Sequence, residues 1–189
     1  MKIKSISDFL INNGFKSNGE SDFFKENDEF IKCVNIQRKS SGDVFFINLG
    51  VNPIFNGYGD ENPPRKEIDC YIRHRISSGN ELDAFPLNTG DDVDAAINKV
   101  KNEAWPFFDF FSSLDNVFGS IKVKDLEEGT IPKELQSMPR ARLALMCMRY
   151  FSATKNTTQA YDFAKYGLSV AGMAVGLKKE FKSIMKEVE

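Results

Sequence analysis

Glu29-Phe30-Ile31-Lys32-Cys33-Val34-Asn35-Ile36-Gln37-Arg38-Lys39 and, after Ser40-Ser41-Gly42, Asp43-Val44-Phe45-Phe46-Ile47-Asn48-Leu49-Gly50-Val51 decide the fold. Both runs are rich in β-branched and aromatic residues, and side chains of a strand alternate between its two faces. Phe30, Val34 and Ile36 therefore share one face of the first strand, and Phe45, Ile47, Leu49 and Val51 one face of the second. Asn35, Gln37 and Asn48 fall on the opposite sides. A connection this short pairs the strands antiparallel. Asp22 to Glu26, across Asn27-Asp28, and Asp69 to Ile76 read as further strands, giving a meander of four or five. In the last of them Tyr71, Arg73 and Arg75 share a side.

Helical patterns flank the sheet. Ser5 to Asn13 places Ile6, Phe9 and Leu10 at helical spacing, with Gly14 suited to the position after a helix end. After Thr89-Gly90, Asp91 opens a helix with Val93, Ala96, Ile97, Val100 and Ala104 on its stripe, which Pro106 must end or kink. The rings of Phe107, Phe108, Phe110 and Phe111 almost encircle the segment beyond, so burial is expected. Ala141 to Ala153 is apolar nearly all round, a core helix. Asn156 caps the next, whose stripe is Ala160, Phe163, Ala164, Gly167 and Leu168, and Met173 to Val188 forms an amphipathic closing helix. The spacing of Gly172 and Gly176 suggests a close helix approach. The fold expected is α+β, one domain over 1–189: a helix with an antiparallel sheet in 1–76, a mainly helical half in 89–189, and a C-terminal helical hairpin plus terminal helix.

Composition narrows the function. With 25 Lys+Arg against 27 Asp+Glu and a formal charge of -2, the basic footprint of a non-specific nucleic-acid binder is missing. No apolar run is long enough to span a membrane, and no secretory leader pattern opens the chain. Cys33, Cys70 and Cys147 are odd in number and without ligand spacing, which points to free thiols in a reducing compartment, the cytoplasm. No cofactor and no metal are expected. His74, the single histidine, alternates with Ile72 and Ile76 and reads as a hydrogen-bonded core or semi-buried residue rather than a base, with Cys70 on the same side. The acidic pairs Asp60-Glu61 and Glu127-Glu128 read as solvated charge. The segment Asn52 to Lys66, rich in Pro and Gly, is long enough to be mobile or functional.

The candidate site is the polar side of the sheet, formed by Asn35, Gln37, Asn48, Tyr71, Arg73 and Arg75. In a meander these amides, guanidiniums and phenol gather as donors for a carboxylate, a phosphate or a peptide backbone. The bland counterpart is a solvated sheet face with ordinary cross-strand pairs.

Gly14-Phe15, Phe23-Phe24, Asn35-Ile36-Gln37 with Lys39-Ser40, Phe46-Ile47-Asn48-Leu49-Gly50-Val51 and Cys70-Tyr71-Ile72-Arg73-His74-Arg75 together resemble a bacterial family known only as a domain of unknown function. The resemblance covers about the first 75 residues well and the helical remainder loosely. It implies a small single-domain protein of the kind that accompanies toxin systems as an immunity or accessory protein. On this reading the chain is a non-enzymatic protein-binding module whose partner is a toxin or accessory protein. Two rivals stand beside it: an enzyme or binding protein taking a small anionic ligand at the polar face, and an adaptor holding a peptide with the C-terminal helical hairpin.

Overall fold

The structure, a computed structural model, describes residues 2–40, 42–55, 57, 63–80 and 82–188. It is α+β, with an antiparallel sheet and C-terminal helices. By contact the chain forms two compact units, one of residues 1–52 and 63–110, the other of residues 53–62 and 111–189.

The first unit carries the sheet. Helix α1 (Lys2–Asn12) leads into β1 (Lys16–Ser17), β2 (Asp22–Glu26), β3 (Phe30–Arg38) and β4 (Val44–Pro53). A 3-10 turn (Glu67–Asp69) precedes β5 (Ile72–Arg75), and β6 (Phe85–Pro86) follows. The order is β1-β2-β3-β4-β5, with β6 also paired to β4. This is the expected meander with two two-residue strands added, β1 at the edge beside β2 and β6 against the start of β4, pieces too short for alternation to reveal. The register sets Asp22 against Asn35 between β2 and β3, and Asn48 against Arg75 between β4 and β5. Phe23, Phe30, Val34, Ile36, Phe45, Ile47, Leu49, Val51 and Ile72 share one face and are all buried.

Thr89 caps α2 (Gly90–Lys99) through a reciprocal box: its hydroxyl accepts from the Asp92 N–H at 3.2 Å, and its own N–H donates to the Asp92 carboxylate at 2.7 Å. The helical path does not stop at the proline. It widens into a π-helical turn over Val100–Ala104 and continues as α3 (Trp105–Phe110). Pro106 has no N–H for the carbonyl four residues back, and a turn wider by one residue lets that acceptor reach past it. Phe107 and Phe108 are buried as expected, and Phe110 is half-buried.

The second unit, where it is described, is helical: α4 (Leu114–Phe118), α5 (Val123–Glu128), α6 (Arg140–Ala153), α7 (Thr157–Val170) and α8 (Val175–Val188). Leu143 to Phe151 is buried without interruption, so α6 is the core helix that its composition implied. The Asn156 side chain accepts from the Gln159 N–H at 3.2 Å and starts α7. Arg149, buried on α6, forks onto Glu180 of α8 at 2.6 and 3.0 Å. The close helix approach is not at Gly172 or Gly176, where a Cβ would meet open space. It lies at Gly167, where an added Cβ would collide with the Phe181 ring. No helix among the described residues is long and apolar enough to cross a membrane.

Leu49→Ala is expected to destabilise by about 2–5 kcal/mol, the cost of emptying a fully buried site on the core face. Gly167→Ala, which overfills a packed contact with a buried ring, should lose about 1–3 kcal/mol. Chemical denaturation measures both, and near-neutral variants would contradict the assigned faces.

Candidate functional site

The face of β4 opposite Leu49 carries Phe46, Asn48, Gly50 and Asn52, and the residues of the neighbouring strands meet there. Asp22 accepts from the Asn35 amide at 2.9 Å. Asn48 donates to Asn35 Oδ1 and to Gln37 Oε1, each at 3.3 Å, and its own carbonyl oxygen accepts from Arg75 Nε at 2.8 Å. A polar ladder thus crosses β2, β3, β4 and β5. The expected solvated face is only partly so: Asn48 is 5% exposed, Asn35 is half-buried, and Gln37 and Arg75 are open to solvent. The Arg75 guanidinium lies over the Phe46 ring, 4.7 Å from its centroid. Among the described residues its two terminal nitrogens have no protein acceptor.

Arg73 and Tyr71, expected in the same group, belong to a second cluster. Arg73 Nε donates to Glu67 at 2.6 Å, a carboxylate that is almost fully buried. That hydrogen bond, working against burial, pushes the Arg73 pKa up. The Tyr71 N–H donates to Asn52 Oδ1 at 2.9 Å, while Asn52 Nδ2 donates to the Pro64 carbonyl at 3.0 Å. Both contacts hold the chain that returns after Pro63 against β4. Gly50 makes this possible, because a Cβ there would lie 2.6 Å from Cys70 Sγ and 3.1 Å from Glu67 Cα.

Two expectations need correction here. Cys70 sits over Gly50, on the side away from Ile72, because the strand starts only after the 3-10 turn. His74 is exposed and stacks on Phe107, with centroids 5.3 Å apart, rather than lying semi-buried. The three thiols are free and buried. A hydrogen bond with Cys33, together with burial, pushes the Cys70 thiol far up, and burial does the same to Cys147.

A second feature was not foreseen. Asn13, Phe15, Lys25, Glu26, Asn27, Phe30, Lys32, Trp105, Phe108 and Asp109 line a cleft of about 280 Å³ in the sheet unit. Its parts lie scattered over nearly a hundred positions, with no spacing to betray them. Among the described residues no group of three His, Cys, Asp or Glu side chains is placed to hold a metal. The pair Asp60-Glu61 and most of the loop tip lie outside the described residues, and Glu127-Glu128 is exposed at the end of α5.

The family model for a domain of unknown function, DUF4304, matches residues 6–109, more than half of the chain. The chain belongs to that family. The match reaches past the strands, through α2 and into α3, and so ends beside the boundary of the sheet unit at Phe110. No curated protein and no solved structure matches the chain.

Asn48→Ala should cost about 1–3 kcal/mol in chemical denaturation, because it breaks the hydrogen bonds that this buried amide makes to Asn35, Gln37 and Arg75, where a solvated asparagine would cost far less. The raised thiols predict a labelling result as well. At about pH 8 Cys70 and Cys147 stay protonated in the native fold and resist alkylation, whereas denatured protein should titrate with three reactive groups. Fast native labelling of either residue would contradict the environments described.

Proposed function

We propose that this DUF4304 member is a non-enzymatic protein-binding module that grips a carboxylate of its partner at the sheet face centred on Arg75. The orientation of Arg75 carries the reading. Its Nε is fixed by Asn48, its plane rests on Phe46, and its terminal nitrogens face no acceptor among the described residues. Asn48 is itself held from behind by Asn35 and Gln37. A guanidinium immobilised before binding loses little entropy when it engages a carboxylate through two parallel hydrogen bonds. Arginine and aromatic residues are also the usual anchors of protein interfaces.

The rival reading, catalysis on a small anion at the same face, needs a nucleophile or base beside Arg75. His74 pairs with Leu49 and so extends from the other face, and the Cys70 thiol is held protonated beneath the chain. An immunity or accessory role, with a toxin or companion protein as partner, is the version that fits the resemblance of the strand pattern. A gene for such a partner beside this one would support it.

The test compares wild type, Arg75→Ala and Arg75→Lys in affinity capture from the native host, followed by titration with the captured partner. Arg75 is exposed but donates to buried Asn48, so its variants should fold and lose no more than about 1.5 kcal/mol, the net worth of one hydrogen bond. Binding should fall for lysine, which keeps the charge but not the fork, and fall further for alanine. Arg73→Ala should lower stability more than Arg75→Ala, because it leaves Glu67 buried without its partner. A partner held equally by all the folded variants would overturn the Arg75 reading and direct attention to the C-terminal hairpin.

A further inference from the structure

Lys25 and Lys32 stand directly opposite each other between β2 and β3, on the face that carries Phe23, Phe30 and Val34. Like charges in such a position repel. Neither is neutralised locally: Lys25 Nζ donates to the Asn13 carbonyl at 3.3 Å and Lys32 Nζ to the Phe108 carbonyl at 2.7 Å. Among the described residues no carboxylate lies within 4.0 Å of either ammonium. An ammonium has three donors, so each keeps two to offer.

Both lysines line the cleft together with Phe15, Trp105 and Phe108. The rings form one cluster: Phe15 and Trp105 stack at 5.9 Å and 15°, and Phe108 lies tilted against Phe15 at 5.9 Å and 42° and against Trp105 at 6.4 Å and 35°. Glu26, at the same cleft, is engaged by Arg65 at 3.0 Å and by Lys16 at 3.7 Å. Two ammoniums against the single remaining acid, Asp109, leave the lining one positive charge in excess.

We propose that this cleft is a binding site for a small aromatic carboxylate, its anionic group between Lys25 and Lys32 and its ring against the aromatic wall. The excess of one charge suits a monoanion better than a phosphate dianion. The apolar rings would favour a body that leaves water on binding. Lys32 is half-buried, and burial lowers its pKa; Asp109 pulls the other way, and Lys25 adds a smaller lowering. The site is distinct from the Arg75 face, since Lys25 and Lys32 extend from the opposite side of the sheet.

Trp105 is the only tryptophan of the chain, so its fluorescence reports on this cleft alone. Phenylacetate, its neutral amide phenylacetamide and inorganic phosphate should be titrated against the full chain by fluorescence and calorimetry. The expected result is a saturable response to phenylacetate that is weakened by about tenfold in Lys25→Gln and in Lys32→Gln, both checked for folding by circular dichroism. The amide and phosphate should bind at least as weakly as phenylacetate does to the variants. No saturation with phenylacetate, equal binding of the amide, or equal binding of phosphate would each overturn the proposal. Should Lys32→Gln fail to fold, the exposed Lys25→Gln decides, and unchanged affinity in it would likewise refute the site.

Discussion

Strand β4 is buried on both faces from Ile47 to Pro53, and every polar group it carries must therefore find a partner inside the protein. The apolar face meets this condition with Ile47, Leu49 and Val51. The other face carries Asn48, Gly50 and Asn52, and each answers differently. Asn48 satisfies its amide across three strands, Asn52 ties down the returning chain, and Gly50 removes its side chain so that Cys70 and Glu67 can approach. The polar ladder, the Glu67 turn and the placement of β5 all follow from covering this one strand.

The same constraint divides two arginines that stand two residues apart. Arg73 opposes Gly50, beside the covered end of the face, and is drawn to a carboxylate that burial would otherwise leave without a counter-charge. Arg75 opposes Asn48, where cover gives way to solvent, and receives one hydrogen bond partner and a ring to lie on. One guanidinium serves the fold, and the other is left oriented with donors to spare.

On the opposite side of the sheet the proline-directed widening of the helix governs. The π-helical turn ahead of Pro106 carries the helical path on to Trp105 and Phe108, which close the aromatic wall over Lys25 and Lys32. Carbonyls near the ends of α1 and α3 each take one ammonium donor, an arrangement that favours positive charge at helix C-termini. The lysines are thus placed and partly bound, and Asp109 offsets the repulsion that Lys32 meets from Lys25.

The longer strands, their antiparallel pairing and the starts of α2 and α7 were legible because each rests on a local signal: alternation in 30–51, the cap at Thr89, the cap at Asn156 with its stripe to Leu168. Which polar residues meet was not, because it depends on register and on what covers each face. Arg73 and Arg75 look alike in the chain, yet their partners lie 6 and 27 positions away, and only the pairing of β4 with β5 selects Asn48 for the second. His74 alternates with buried Ile72 and Ile76 and still lies exposed, its ring stacked on Phe107, a neighbour that alternation cannot place. Gly167 rather than Gly172 meets a neighbouring helix because the position of Phe181 decides it, not the spacing of the glycines. The aromatic cleft draws on residues from Asn13 to Asp109, with no sequence period linking them. Periodicity fixes which way a side chain leaves the backbone; only the tertiary fold brings another group to where it arrives.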